Sequence, residues 1–235
     1  MKAKVNLQLL KTTTFDSGAL GMLAMVIHQF CSAGHYRATI KEKGHAVTEI
    51  NFEVDEKSEV MQLDIDLAQS VQNVKTRPED CGCKGGKQTA LVVSPKGFVL
   101  FHASSGYGYS VTVSNGKGKL VFDSTNLDNG DLFAVSLLEP ASYSMSNKIG
   151  SAKGEIIVSL TPDAAKRLKT LETRYIEVSQ KLFDLESIEL SSSQGLVFRI
   201  KDSARILIEK RPAPAQHRDK PVIRWQRLQT VRKKN

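Results

Sequence analysis

The chain has 235 residues, 40% of them apolar, with 16 glycines and three cysteines, which excludes wholesale disorder, collagen-like repeats and a disulfide scaffold. Aromatics make up only 6%, so the core must rest on Leu, Ile and Val. The formal net charge is +8, and residues 210–235 carry all of it: Lys210, Arg211, Arg218, Lys220, Arg224, Arg227, Arg232, Lys233 and Lys234 stand against the single acid Asp219.

At the N-terminus the only apolar stretch, Val5–Leu10, is cut by Asn6 and Gln8. A secretory signal needs a longer apolar run. Gly18–Ile27 spans about ten residues, half of what a bilayer crossing takes. The expectation is a cytoplasmic protein with no membrane span and with reduced thiols.

Residues 3–10 alternate loosely and read as a strand. The spacing of Leu20, Leu23, Ala24, Ile27, Phe30 and Cys31 predicts a helix over Asp16–Ala33, with Asp16 or Ser17 as its cap and Gly34 as its stop. The period then changes. Tyr36, Ala38 and Ile40 alternate, followed by Val47, Ile50, Phe52 and Val54, then by Val60, Leu63, Ile65 and Leu67, which predicts three antiparallel strands with one wet face.

Residues 70–88 hold Pro78, Cys81, Gly82, Cys83, Gly85 and Gly86 and read as a loop. Beyond it, strands are expected at Thr89–Ser94, Gly97–Ala103, Tyr109–Ser114, Lys119–Asp123, Leu132–Leu138, Ser142–Met145 and Glu155–Leu160. Ser94-Pro95-Lys96-Gly97, Asn115-Gly116 and Asn129-Gly130 are turn sequences between them. Short strands at this spacing point to a β-sandwich.

Thr161-Pro162-Asp163 is a helix start. Ala164, Leu168, Leu171, Tyr175, Val178, Leu182 and Leu185 then recur with alternating spacings of four and three, a heptad seam. The expectation is one long helix over residues 161–186. Either it pairs with another chain through Leu168, Leu171, Tyr175, Val178, Leu182 and Leu185, or it lies on its own sheet. Leu196–Ile200 and Arg205–Glu209 read as two further strands.

The fold class expected is mainly β: an antiparallel sandwich lobe and a second β-containing lobe, with an N-terminal helix and a long heptad helix. The divisions are residues 1–75 (helix plus strands), 76–88 (Cys/Gly linker), 89–160 (sandwich), 161–209 (long helix and hairpin) and 210–235 (basic arm).

Candidate chemistry is sparse. The basic residues of the arm, with the only tryptophan, Trp225, between Arg224 and Arg227, suit docking on an acidic protein partner. The same set can neutralise phosphates and stack on a base, so nucleic acid is the alternative. His28, Cys31, His35, Cys81 and Cys83 supply soft ligands for zinc or copper if the fold unites them. No other cofactor is implied. Residues 81–89, CGCKGGKQT, fail as a phosphate loop, because Gln88 follows Gly86-Lys87 where Ser or Thr is required and Cys81 stands at the first Gly. There is no G-x-S-x-G or H-E-x-x-H string. The reading is a non-enzymatic component of a homo- or hetero-oligomeric protein assembly.

Lys119–Leu138, followed by Glu139-Pro140-Ala141-Ser142-Tyr143, resembles the end of a prealbumin-like module of the carboxypeptidase regulatory and collagen-binding B-type families, with Ala141 where those families have Gly. Over residues 89–160 the resemblance implies a seven-stranded sandwich used for spacing, stability or adhesion, with no catalytic residues.

Overall fold

The computed structural model describes residues 9–76, 91–160 and 171–212. Among these residues the chain is mainly β. After a short 3-10 turn at Leu9–Lys11, the strands are β1 (Thr14–Asp16), β2 (Ala24–His28), β3 (Gly34–Glu42), β4 (His45–Val54) and β5 (Gln62–Asp66). One helix, α1 (Leu67–Lys75), precedes β6 (Leu91–Val93), β7 (Phe98–His102), β8 (Tyr109–Asn115) and β9 (Leu120–Asp123). There follow β10 (Leu132–Ser136), β11 (Ser142–Asn147), β12 (Lys153–Ser159), β13 (Arg174–Val178), β14 (Ser187–Ser191), β15 (Gly195–Ile200) and β16 (Ile206–Lys210).

These strands form three sheets. A six-stranded central sheet runs β13-β15-β10-β2-β7-β5, and two five-stranded sheets run β6-β4-β3-β8-β9 and β1-β16-β11-β12-β14. The buried side chains of the central sheet, among them Val26, Ile65, Val99, Phe101, Phe133, Val135, Ile176, Leu196 and Phe198, all project to one side. Partners across a ladder share a face. Both five-stranded sheets therefore cover the same face of the central sheet.

The topology is a duplication. β1–β8 and β9–β16 follow the same path. β3 pairs antiparallel with β4 and β8, as β11 pairs with β12 and β16. β4 pairs parallel with β6 as β12 does with β14, and β5 parallel with β7 as β13 does with β15. The central ladder of β2 against β10 joins the two repeats about a local two-fold axis.

Details repeat as well. Tyr36 and Tyr143 open equivalent strands, and each hydroxyl donates to the carbonyl four residues upstream, Ser32 at 2.6 Å and Glu139 at 2.9 Å. Burial pushes both phenols above their ordinary pKa. Leu23 and Gly130 occupy equivalent turns with φ of 67° and 93°. That conformation is open to Gly and costly for Leu.

The first strand of each repeat is exchanged. β1 pairs with β16, the last strand of the second repeat, and β9 pairs with β8, the last strand of the first. The same tripeptide makes both joints. In Phe15-Asp16-Ser17 and Phe122-Asp123-Ser124 the phenylalanines are buried. The wholly buried serine hydroxyls accept from Ile206 N at 3.1 Å and Val111 N at 3.0 Å. Each serine N–H donates back to the same residue's carbonyl, at 3.0 Å in both repeats. Leu20 with Tyr109 and Leu127 with Ala204 then form equivalent two-bond bridges. In one joint Arg205 adds a bidentate bond to Asp16, at 3.0 and 2.8 Å, which raises the guanidinium's pKa further.

Several expectations are corrected. Asp16–Ala33 is no helix: it is the end of β1, a turn and β2. Ala24 and Val26 face the core while Met25 and Ile27 are apolar on the other side, and a strand apolar on both faces mimics helical spacing. Of the long heptad helix, residues 161–170 lie outside the described residues, and the remainder is β13 followed by turns. There Ile176 and Val178 are buried while Tyr175, Leu182 and Leu185 are exposed, so the spaced apolar residues do not form a seam. The strands expected to make one sandwich over 89–160 are dealt among all three sheets. α1 lies within a stretch expected to end a strand and begin a loop. It is short and buries only Leu67, Ala68 and Val71.

Replacing Ser17 or Ser124 by Ala leaves a buried backbone N–H without its acceptor. Each substitution is expected to lower unfolding free energy by about 1–3 kcal/mol in urea titrations. A loss below about 0.5 kcal/mol at both sites would remove the serines from the joint's energetics.

Candidate functional site

With both five-stranded sheets on one face, the other face of the central sheet carries no described strand or helix. Its side chains can be read across the ladders in two rows. One row runs Asp64, Leu100, Ile27, Leu132, Arg199, Glu177 from β5 to β13. The other runs Asp66, His102, Met25, Ala134, Val197, Tyr175. The middle is apolar, with Met25, Ile27, Leu100, Leu132, Ala134 and Val197 half-buried by their neighbours. Phe98 and Tyr175 are exposed. A groove of about 370 Å³ opens over Met25, Ala134 and Val197, walled by Thr173 and Gly195.

The two ends of the face differ in charge. Asp64 and Asp66 mark the β5 edge. At the β13–β15 edge, the Arg199 guanidinium lies 4.1 Å from the Tyr175 ring centroid, and Lys201 pairs with Glu177 at 3.2 Å. Asp66 has a second task. Its Oδ1 accepts from Gln69 N at 3.2 Å, capping α1, and from Ser104 N at 3.3 Å. Burial opposes ionisation there, but the hydrogen bonds from Ser104 and Gln69 outweigh it and hold the carboxyl below its ordinary value.

The residues proposed as metal ligands do not converge. His28 Nδ1 lies 2.5 Å from Asp131 Oδ1, and its ring contacts Phe30 and Phe122. Cys31 is exposed, with its thiol against the Gln29 carbonyl. His35 is exposed on β3, beside a hollow of about 680 Å³ that Arg37, Glu53 and Asn115 also line. Cys81 and Cys83 lie outside the described residues. Among the described residues no three His, Cys, Asp or Glu side chains form a group able to hold a metal ion. The helix face expected to unite His28 and Cys31 is a strand and the loop after it.

The His28–Asp131 pair breaks the duplication. It occupies one end of the β2–β10 ladder, where the local two-fold places Ala24 opposite Val135 at the other end. Asp131 is 3% exposed, and its Oδ2 accepts from Asp128 N at 2.8 Å.

Of the basic arm, Lys210 and Arg211 belong to the folded body. Lys210 ends β16 and pairs with Glu139, and Arg211 pairs with Glu155 at 2.7 Å. The arm's start is corrected accordingly, since these two cations are neutralised by the protein's own carboxylates. Arg218, Lys220, Arg224, Trp225, Arg227, Arg232, Lys233 and Lys234 lie outside the described residues, as does Leu168. Tyr175 stands on the outward face, Val178 is in the core, and Leu182 and Leu185 are on the surface after β13.

No family model, curated protein or solved structure matches this chain. Among the described residues no helix is long and apolar enough to cross a membrane.

Asp131→Ala should destabilise by about 1–3 kcal/mol, because it strips the acceptor from a mostly buried imidazole and from Asp128 N. Combining it with His28→Val copies the Ala24–Val135 pair and should recover most of that loss in urea titrations. Asp66→Ala should cost about 1 kcal/mol at pH 7 by uncapping α1. The Asp66 carboxyl is depressed in the folded state, so its contribution is full above the ordinary value of 3.8 and fades as pH falls through the lower folded value. Thermal unfolding followed from pH 7 to pH 2 should therefore show a shallower acid loss in the variant.

Proposed function

We propose that this protein is a non-enzymatic assembly component that docks on an acidic protein partner through residues 213–235. The observation that carries the reading is where charge is neutralised. Lys210 and Arg211, at the root of the segment, are matched by Glu139 and Glu155 of the folded body. Beyond Pro212 seven cations face one acid, Asp219, and Val222, Ile223, Trp225 and Leu228 supply apolar contacts among them. Cations of that number without partners in their own segment favour an external anion.

A pairwise-repeated β body fits this role. Its buried side-chain polar atoms all have partners among the described residues. Its ion pairs brace strands, with Arg205 on Asp16 joining the N-terminal strand to β16.

Truncation after Pro212 is expected to abolish capture of an acidic protein partner from a cell extract and to leave the melting temperature within about 2 °C, a shift worth about 1 kcal/mol at most. Retained capture, or a fall in melting temperature beyond about 8 °C, would overturn the reading. Capture of nucleic acid instead, weakening steeply with salt, would replace the protein partner by a polyanion.

A further inference from the structure

We propose that the hollow on the outer face of the β6-β4-β3-β8-β9 sheet binds a neutral, hydroxyl-rich ligand, a short oligosaccharide. The inference is separate from the role of residues 213–235 and rests on a comparison of the two repeats.

The first repeat gathers planar polar side chains on one side of this sheet. β3 supplies His35 and Arg37. On β4, Glu53 stands opposite His35 and Asn51 opposite Arg37, and Ser114 of β8 flanks Arg37 on its other side. All five line the hollow of about 680 Å³. The side chains of His35, Asn51, Glu53 and Ser114 make no hydrogen bond or ion pair among the described residues. Arg37 lies 3.7 Å from Glu49, with both side chains more than half exposed, a pair that holds little energy.

The second repeat closes the same ground with its own charges. The ladders equate Tyr36 with Tyr143, hence Asn51 with Glu155, Asn115 with Lys210 and Gly116 with Arg211. There Arg211 reaches across to Glu155 at 2.7 Å, and Lys210 pairs with Glu139. In the first repeat Gly116 has no side chain to reach Asn51, and Arg37 and Glu53 stand where the second has Ser144 and Ile157. One repeat thus seals this place internally, and the other leaves a concavity with convergent polar groups, the form of a small-molecule site.

The mixed charge selects the ligand. An anion would meet Glu53 in the hollow, and a cation would meet Arg37. A hydroxyl donates to a carboxylate and accepts from a guanidinium or an amide, so a polyol uses both. Arg37, Asn51 and Glu53 each present paired donors or acceptors in a plane, suited to neighbouring hydroxyls on a sugar ring. Tyr36, Phe52 and Leu91 add apolar atoms to the lining for the C–H face of such a ring. The volume falls within the range of roughly 300–1,000 Å³ that takes a drug-sized ligand, the size of a di- or trisaccharide.

Heteronuclear NMR titration of the full chain with maltotriose, cellotriose, xylotriose, mannotriose and tri-N-acetylchitotriose tests this. At least one is expected to shift the amides of His35, Arg37, Asn51, Glu53 and Ser114, with a dissociation constant on the order of 1 mM because the hollow is open to water. The related amides of Ser142, Ser144 and Glu155 should stay in place. Gly116→Arg combined with Asn51→Glu copies the closure of the second repeat and should weaken binding about 10-fold or more. A Cβ at Gly116 meets nothing nearer than the His35 carbonyl at 3.6 Å, so the fold accepts the change, and Gly116→Ala should bind as the wild type. Raising sodium chloride from about 50 to about 500 mM should alter the affinity less than about 2-fold, since a neutral ligand has no charge to screen. Absence of shifts with all five sugars overturns the proposal, as do equal shifts in both repeats. So does salt-sensitive binding of inorganic phosphate, glutamate or lysine in place of the sugars, or a closed double variant that binds as the wild type.

Discussion

Two buried serine hydroxyls close the joints at which the repeats of this molecule exchange strands. Ser17 and Ser124 each sit where the first strand of one repeat meets the last strand of the other, and each exchanges a pair of hydrogen bonds with a single residue, Ile206 or Val111. The adjoining phenylalanines, Phe15 and Phe122, fill the core beside them. Because the exchange is reciprocal, neither repeat contains all the strands of its own sheet. The central ladder between β2 and β10 then adds a second seam, and the two seams together make a continuous core from what topology counts as two units.

The duplication also explains where the molecule is irregular. Identical topology invites comparison position by position, and the deviations stand out. One end of the central ladder holds Ala24 opposite Val135, while the related end holds His28 against Asp131. One joint carries the Arg205–Asp16 bond, while in the other Asp123 accepts from the Thr125 hydroxyl and N–H. The first repeat has α1 between its fifth and sixth strands, and the second has a short turn-rich stretch after β13.

Much of the sheet content was legible in the sequence, because alternation of buried and exposed residues is a local signal. Tyr36, Ala38 and Ile40 reach the core as their spacing suggests, and so do Val111 and Val113. The two false helices both come from strands of the central sheet. The middle of the central sheet is apolar on both faces, so β2 lacks alternation and imitates a helix. β13 contributes Ile176 and Val178 inward and Tyr175 outward, and with the turn residues Leu182 and Leu185 this imitates a heptad. The duplication did leave a trace, the repeated Phe-Asp-Ser strings at 15–17 and 122–124 with Leu20 and Leu127 after them. Little else is identical, since a buried β position demands shape and apolarity rather than a particular side chain. The outward face could not be read at all, because it is assembled from six strands that lie far apart along the chain.

The crossing of β1 into the second repeat has a further consequence for how the chain reaches this state. Asp16 and Arg205 lie 189 positions apart, and so do the hydrogen-bonded Ser17 and Ile206. During synthesis the N-terminal strand emerges first, yet its partner is among the last described segments to leave the ribosome. Phe15 must wait without its pocket until nearly 190 further residues have been made. Such non-local closure makes folding slow and leaves an unpaired strand edge open to the wrong partner. A chain stalled before β16 is made would present the unpaired β1 to its neighbours.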